Sequence, residues 1–470
     1  MKKIFDKQDK LVLIGIASYF VALVTIAINT NGTCDSGDSI THFLFSKYAF
    51  QHPENFLNHW AKPLFVLLSS PFAQFGFVGI KLFNCIVAAA TAWFTYQTAK
   101  KINYKNAWLA TVFICFTPGY FTHIFSGLTE PLFALISILG IYYLLSDRIY
   151  LAVCVISFLP FVRSEGLIII GIFAFYLIAN KQYRYLPWLL LGHVVYSIAG
   201  FFYYHDLLWV ITKIPYAASS GKYGSGNLSH FIIQLNYIIG VPLYCLLGLG
   251  FVKKIKLFFS QKEIYFTVEN ILIYILFIAF ITAHTLFWYY GIFESMGLNR
   301  VLVSIVPLAA IIALNGINFI SEIIKQKFIS KIVFILFTGF VILFPFIPNP
   351  ASVNWKKDLS LSTDEILIAD AAQYIQANFP KNTFMYYTHS YMSLVMDRDP
   401  FDKKQNRELK NFIIDKHPSH YLIIWDNWFS VVENGVSLEQ LKTDDKLKLL
   451  KTYQTKTNGV TNEVIVFEGK

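Results

Sequence analysis

Charge is scarce in this 470-residue chain: Asp, Glu, Lys and Arg make up 14% of it, where an ordinary soluble domain carries about a quarter. So little charge excludes a disordered chain, a coiled coil and almost any water-soluble enzyme. Cysteine is also sparse, with five residues at 34, 85, 115, 154 and 245. None forms a CxxC pair, which leaves neither a disulfide framework nor that kind of metal site. There is no GxxxxGK[ST] stretch and no GxGxxG after a strand, so the phosphate-cradling loops of nucleotide enzymes are missing. What is abundant is apolar surface. Hydrophobic residues reach 55%, aromatic residues 17%, and mean hydropathy is +0.50. These values point to a membrane.

The formal net charge is +10, which in a soluble protein suggests nucleic acid. Its distribution argues otherwise. Before residue 350 there are 24 basic and 13 acidic residues, and from there on 15 and 16, so the excess belongs to the hydrophobic part. A helix needs roughly 20 apolar residues to cross about 30 Å of hydrocarbon. About eleven apolar runs qualify as candidates on composition, at 11–29, 77–99, 106–118, 128–146, 149–161, 166–180, 185–204, 231–252, 268–290, 301–320 and 331–347.

Lysine and arginine alternate between successive connections, as the positive-inside rule requires. One set of ends holds 17 of them, including Lys7, Lys10, Lys100, Lys101, Lys253, Lys254, Lys327 and Lys331, and the other set holds only six. This places the N-terminus in the cytoplasm and, with an odd number of spans, the C-terminal region outside. Residues 11–29 read as a permanent first span, because Ile-Asn-Thr-Asn-Gly offers no small-x-small cleavage site. The expected fold is therefore a polytopic α-helical membrane protein of about 11 transmembrane helices with a small C-terminal α/β domain on the outer face.

Residues 1–349 form the expected membrane domain. Its first outer loop, about 30–76, contains amphipathic stretches at Ile40–Phe50 and Lys62–Phe75. A second long loop, about 205–230, carries the glycine-rich Gly221-Lys-Tyr-Gly-Ser-Gly226, which reads as a lid. Beyond Pro345, Pro348 and Pro350 the composition becomes that of a soluble domain, 350–470, with helices expected at 364–378, 404–415 and 437–442. Strands are expected at Thr383–Tyr387 and His420–Trp425, followed by two short ones, the last at Glu463–Phe467.

Ionisable side chains beside a bilayer are expensive and mark function by default. On the outer side the carboxylates include Asp35, Asp38, Glu130 and Glu165, and the cations Lys62, Arg163 and Arg300, with His42 and His59 nearby in sequence. Acids and bases on one face suit transfer of a group from a membrane-borne phosphate to an acceptor hydroxyl. A carboxylate takes the hydroxyl proton, and Lys and Arg stabilise charge on the leaving phosphate. Each assignment has a plainer counterpart. Asp38 also fits the N-cap of a helix starting near Ser39, Asp35 a turn residue, Glu130 and Glu165 internal ion pairs, and the arginines snorkelling at span ends. A divalent metal is compatible with the donor types at His42 and His59, although their spacing matches no standard zinc motif. No other cofactor is called for. Asn31-Gly-Thr33 and Asn227-Leu-Ser229 match the glycosylation sequon.

Five stretches carry a family likeness: Cys34-Asp35-Ser-Gly-Asp38-Ser-Ile-Thr-His42, His59-Trp-Ala-Lys62-Pro63, Ser126-Gly-Leu-Thr-Glu130-Pro-Leu-Phe, Phe161-Val-Arg163-Ser-Glu165-Gly-Leu and Met296-Gly-Leu-Asn-Arg300 running on to Pro307. In order and sidedness the chain resembles the GT-C membrane glycosyltransferases, especially the protein O-mannosyltransferase and aminoarabinose transferase branch. The resemblance implies a polyprenyl-phosphate sugar donor, with a hexose such as mannose as the family default, and a glycan, lipid or protein acceptor. It also implies a first-loop acid as catalytic base, and a cell (inner) membrane setting with the site facing away from the cytoplasm. The family's usual Asp-Glu pair is absent: Ser39 follows Asp38, and Asp35 stands three residues before it. The base is thus Asp38 or Asp35, with Asp38 favoured because it directly precedes the amphipathic segment. Lys62-Pro63 is similar to the motif whose lysine contacts donor phosphate, although Ala61 stands where that motif has an acid. Donor phosphate is assigned to Lys62, Arg163 and Arg300, and supporting roles to Glu130, Glu165, His42 and His59.

Two other readings compete. A transporter or lipid flippase would place charges near the midplane and show repeat-related halves, whereas here the charges gather in loops on one side. A glycan polymerase or ligase with a lipid-pyrophosphate donor differs from the first reading only through the family likeness.

Overall fold

The computed structural model describes residues 6–215, 223–260, 266–348, 354, 358–414, 416–457 and 459–469. It is a polytopic α-helical membrane protein, but the expectation of about 11 spans is overturned. Among the described residues six helices are long and apolar enough to cross a membrane: Lys7–Asn29, Phe77–Lys101, Tyr183–Tyr204, Glu269–Tyr290, Asn299–Ile323 and Lys327–Phe346. The other runs are apolar by composition, but backbone breaks make most of them shorter helices, and the 20-residue Val241–Ser260 carries Lys253, Lys254 and Lys256. The 106–118 run yields only Leu109–Cys115, ahead of Pro118, and 231–252 is split at Gly240, whose φ of +78° ends one helix before Val241-Pro242 begins the next. The longest of the short apolar helices, Glu130–Leu145, has 16 residues and spans about 24 Å, less than the hydrocarbon thickness.

In chain order the membrane part comprises α1 Lys7–Asn29, α2 Asp38–Lys47, α3 Pro63–Ala73, α4 Phe77–Lys101, α5 Leu109–Cys115, α6 Pro118–Ile124, α7 Glu130–Leu145, α8 Ile149–Ser157, α9 Gly166–Ala179, α10 Leu191–Tyr204, α11 Trp209–Thr212, α12 His230–Ile239, α13 Val241–Ser260, α14 Leu276–Tyr290, α15 Val306–Ile323 and α16 Lys327–Leu343. The most buried span is Asn299–Ile323, which enters α15 through a 3₁₀ segment and packs against α13 and α4. Gly250 and Gly316 permit the close α13–α15 approach, since a Cβ at Gly316 would lie 1.9 Å from the Leu246 carbonyl oxygen.

The lysine-rich ends share one face of the bundle. Lys100 at the end of α4 donates to Asp6 (2.7 Å) and Asp9 (2.8 Å), the reciprocal caps that start α1. Glu269 receives Lys254 (2.6 Å) and Tyr104 (2.7 Å), and Lys253 pairs with Glu322 at 2.9 Å. The first loop and the residues after 358 lie at other ends of these helices.

Residues after 358 build α17 Thr363–Asn378, α18 Ser390–Val395, α19 Leu438–Lys442 and a five-stranded sheet. Its strands are β1 Phe384–Tyr387, β2 Asn406–Arg407, β3 Tyr421–Asp426, β4 Leu447–Thr457 and β5 Val460–Gly469, in the order β2-β1-β3-β5-β4. β1 runs parallel to β2 and β3, while β5 is antiparallel to β3 and β4. All six residues of β3 are buried, as befits a central strand covered on both faces. The expected helix at 404–415 is instead the short β2 followed by a 3₁₀ turn, Leu409–Ile413. The last two strands are longer than expected and form a hairpin.

Candidate active site

The first loop folds back on its own side chains. Asp35 Oδ1 accepts from the backbone N–H groups of Gly37 (3.0 Å) and Ser39 (3.2 Å), closing the turn that launches α2. Asp35 therefore does the local capping that the sequence assigns to Asp38. Asp38 is the first residue of α2, makes no cap bond, and keeps 44% of its side-chain surface open. Its carboxylate is free to face other elements.

It faces Arg300. The guanidinium at the entry to α15 donates through Nη1 to Asp35 Oδ2 at 2.7 Å and through Nη2 to Asp38 Oδ2, while its Nε lies 3.5 Å from Glu130 Oε1. Glu130, at the first position of α7, is fully buried and lies 2.7 Å from Arg163 Nη1. Arg163 continues the chain of charges to Glu165 Oε1 at 2.9 Å and bonds Thr129 Oγ1 at 3.2 Å. Lys62 Nζ donates to Ser164 Oγ at 3.0 Å. Asp35, Asp38, Lys62, Glu130, Arg163, Glu165 and Arg300, from five separate stretches of chain, thus form one network. Asp38, the most open carboxylate of the four, lies at its edge.

Burial and charge pull against each other here. Burial disfavours the Asp38 anion, but Arg300 outweighs it and holds the carboxyl below its usual range. At Glu165 burial is likewise overcome, chiefly by Arg163 and then by His284, which leaves the carboxyl at about 2. Burial pushes the Lys62 ammonium down to about 8 and His42 down to about 4. At neutral pH the site therefore presents ionised Asp38 and Glu165, a neutral His42 imidazole and a lysine near its titration point. Lys62 also adopts φ +68° directly before Pro63, a conformation that costs a non-glycine residue free energy.

The two histidines separate. His42 is buried on α2, its Nδ1 3.2 Å from the Ala61 carbonyl oxygen and its ring stacked on Trp60. His59 turns toward α11, with Nε2 3.0 Å from the Val210 carbonyl oxygen and its ring against Trp209. Among the described residues no group of three or more His, Cys, Asp or Glu is placed to hold a metal ion. Of the glycine-rich second loop, residues 216–222 lie outside the described residues, so the expected lid is only partly covered; Tyr223 bonds Glu433 Oε1 at 2.8 Å.

Several contributors were invisible in the sequence. His284, inside an apolar run, brings Nε2 to 3.9 Å from Glu165 Oε1. Residues after 358 clamp the first loop: Gly32 N–H donates to the Leu359 carbonyl (3.0 Å), Thr33 Oγ1 to Glu365 Oε1 (2.5 Å), and Thr41 Oγ1 lies 2.6 Å from Ser390 Oγ. Further along, Lys47 pairs with Asp397 and His52 with Asp399. Phe429 packs on Gly37 so closely that a Cβ there would sit 3.0 Å from its ring. Inside the loop Ser39 Oγ donates to the Thr33 carbonyl (2.8 Å) and accepts from Gly127 N–H (2.7 Å), tying the acids to the approach of α7.

Two solved structures share this architecture end to end: ArnT from Cupriavidus metallidurans bound to undecaprenyl phosphate, and the same protein in the apo state. Each gives a TM-score of 0.65 and covers 97% of both chains, at 9% sequence identity. The chain has the ArnT fold. No family model matches the sequence, and no curated protein does. The likeness is therefore one of architecture and extends over nearly the whole chain.

Proposed function

We propose that this protein is a glycosyltransferase that moves a sugar, of the hexose class, from a polyprenyl-phosphate donor to an acceptor hydroxyl at the outer face of the cell membrane. The observation that carries this reading is the set of ion pairs joining Asp35 and Asp38 through Arg300 and Glu130 to Arg163, with Lys62 held beside them on Ser164. A donor phosphate needs cations beside it, an acceptor hydroxyl needs a base, and the network supplies both within one side chain's reach. Asp38, the more open acid, accepts the hydroxyl proton as the acceptor oxygen bonds to the sugar's anomeric carbon. The bond from that carbon to the phosphate oxygen breaks, and the electron pair leaves with the phosphate, which Arg300, Arg163 and Lys62 stabilise. Arg suits phosphate oxygens because its planar fork donates twice. Asp35 holds the loop and Arg300, while Glu130 and Glu165 keep Arg163 and Arg300 in place and His42 supports α2.

The similar ArnT structure is described as bound to undecaprenyl phosphate, which supports a lipid-phosphate donor here. The lysine bias assigns the N-terminus to the cytoplasm, so the loop after the first span faces outward, and its bonds to Leu359 and Glu365 favour the same side for the residues after 358. The test is to incubate the purified protein in lipid with a panel of polyprenyl-phosphate sugars and to follow release of polyprenyl phosphate. Release with one or more sugars is expected. No release from any donor, by protein shown to be folded, would remove the proposal.

A further inference from the structure

On the lysine-bearing face, the seven residues of α5 reach only about 10 Å along the bundle. Just ahead of it in the chain, a cleft of about 380 Å³ opens between Asn106, Ser321 at the end of α15 and one side of α16. That side has helical spacing. Lys327, Ser330 and Lys331 line the mouth, and Phe334 and Ile335 follow one turn further along the same face. Polar and cationic groups thus give way to apolar ones within about 12 Å of helix.

Lys253 and Lys254 on the same face each find a carboxylate, whereas among the described residues no ion pair involves Lys327 or Lys331. They also stand in the first turns of α16, where the helix dipole is positive and where Gln326 makes no side-chain cap bond. Two lysines at a helix N-terminus are unfavourable unless an anion answers them. The rest of α16 is mostly exposed and apolar, with Phe328, Ile332, Ile335 and Leu336 open, which sets the cleft against lipid rather than against another protein layer.

We propose that this cleft binds an anionic phospholipid, its headgroup phosphate between Lys327 and Lys331 and an acyl chain along Phe334 and Ile335. The apolar floor directly beneath the cations selects a lipid over free phosphate, because a soluble anion leaves that floor uncovered. Interhelical basic clefts of this kind are a physical match to acidic headgroups at a membrane surface. The site lies away from the ion network of the first loop, and the proposal stands independently of the transferase reading.

The full-length protein in detergent is titrated with phosphatidylglycerol and, separately, phosphatidylcholine, with bound lipid read by native mass spectrometry. Phosphatidylglycerol is expected to bind preferentially, and Lys327→Gln with Lys331→Gln to weaken it about 30-fold, at the usual contribution of a surface lysine. The double arginine variant should retain it, and Lys256→Gln, an exposed lysine on the same face, should not change it. Glycerol 3-phosphate and inorganic phosphate, as headgroup-only probes, should fail to displace the lipid at millimolar concentration. Equal binding of both lipids, equal binding by the double glutamine variant, or an equal loss in Lys256→Gln would each overturn the proposal. Displacement by the soluble anions would show a phosphate site without a lipid and would overturn it as well.

Discussion

At the scale of single residues, Asp35 and Asp38 divide two tasks that the sequence leaves overlapping. Asp35 spends one oxygen on backbone N–H groups and the other on Arg300, while Asp38 meets Arg300 and otherwise stays open. Asp38→Asn should therefore abolish transfer with folding intact, and a normal rate from a folded Asp38→Asn protein would remove it as base. Asp35→Asn should also cost stability, about 1 kcal/mol for a lost cap, measurable by thermal unfolding. Lys62 carries a pH signature. Its ammonium, lowered to about 8, is protonated below that pH and neutral above it, so affinity for the donor should be full at pH 7 and fall as pH rises through about 8. Lys62→Arg should flatten that profile; an unchanged slope would argue that Lys62 does not meet phosphate. The seven members of the network were legible because charges in an apolar chain have few innocent explanations. His284 was not, since a histidine in an apolar run reads as packing, and His59 was grouped with the site only by its place in the chain.

At the scale of elements, the hydrogen-bond path from Glu365 through Thr33 and Ser39 to Gly127 fixes the first loop between α17 and α7. Glu365 belongs to the capping box of α17, and burial raises its carboxyl above the usual range even as Thr33 and Ser362 donate to it. Removing the Thr33 hydroxyl leaves a buried acceptor short of a donor, a loss of about 1–3 kcal/mol. Thr33→Val should lower the rate of transfer at saturating donor and speed amide exchange across 33–41, with Thr33→Ser restoring both. Normal exchange in Thr33→Val would show that the path does not order the loop. Of these elements, α17, β1 and β3 were legible from periodicity and from β-branched and aromatic runs. The 404–415 segment was not, because its helical spacing is local and the parallel pairing of β2 with β1 is not.

At the scale of the whole molecule, Lys100, Lys253 and Lys254 all find carboxylates at helix ends, while the long apolar helices among the described residues number six and not about 11. Composition counts apolar residues, whereas span length depends on where Pro and Gly interrupt the backbone, as at Gly240 and Pro118. Two arginines close on fully buried Glu130 from different parts of the bundle. Glu130→Ala should therefore strand buried cations and destabilise the protein by about 3–5 kcal/mol, seen as a lower unfolding temperature. A chain ending at residue 348 should insert in the membrane yet lack transfer, with its first loop open to protease; full activity would show that the terminal sheet is dispensable.

The Thr33–Glu365 bond spans 332 positions of sequence. The acids of the first loop are made early in synthesis, and the groups that fasten them arrive only when most of the chain has been translated. During that interval the first loop lacks the partners that Gly32, Thr33 and Thr41 find in Leu359, Glu365 and Ser390. Order in the loop therefore waits on residues more than 300 positions downstream, and the two ends of the fold are completed together.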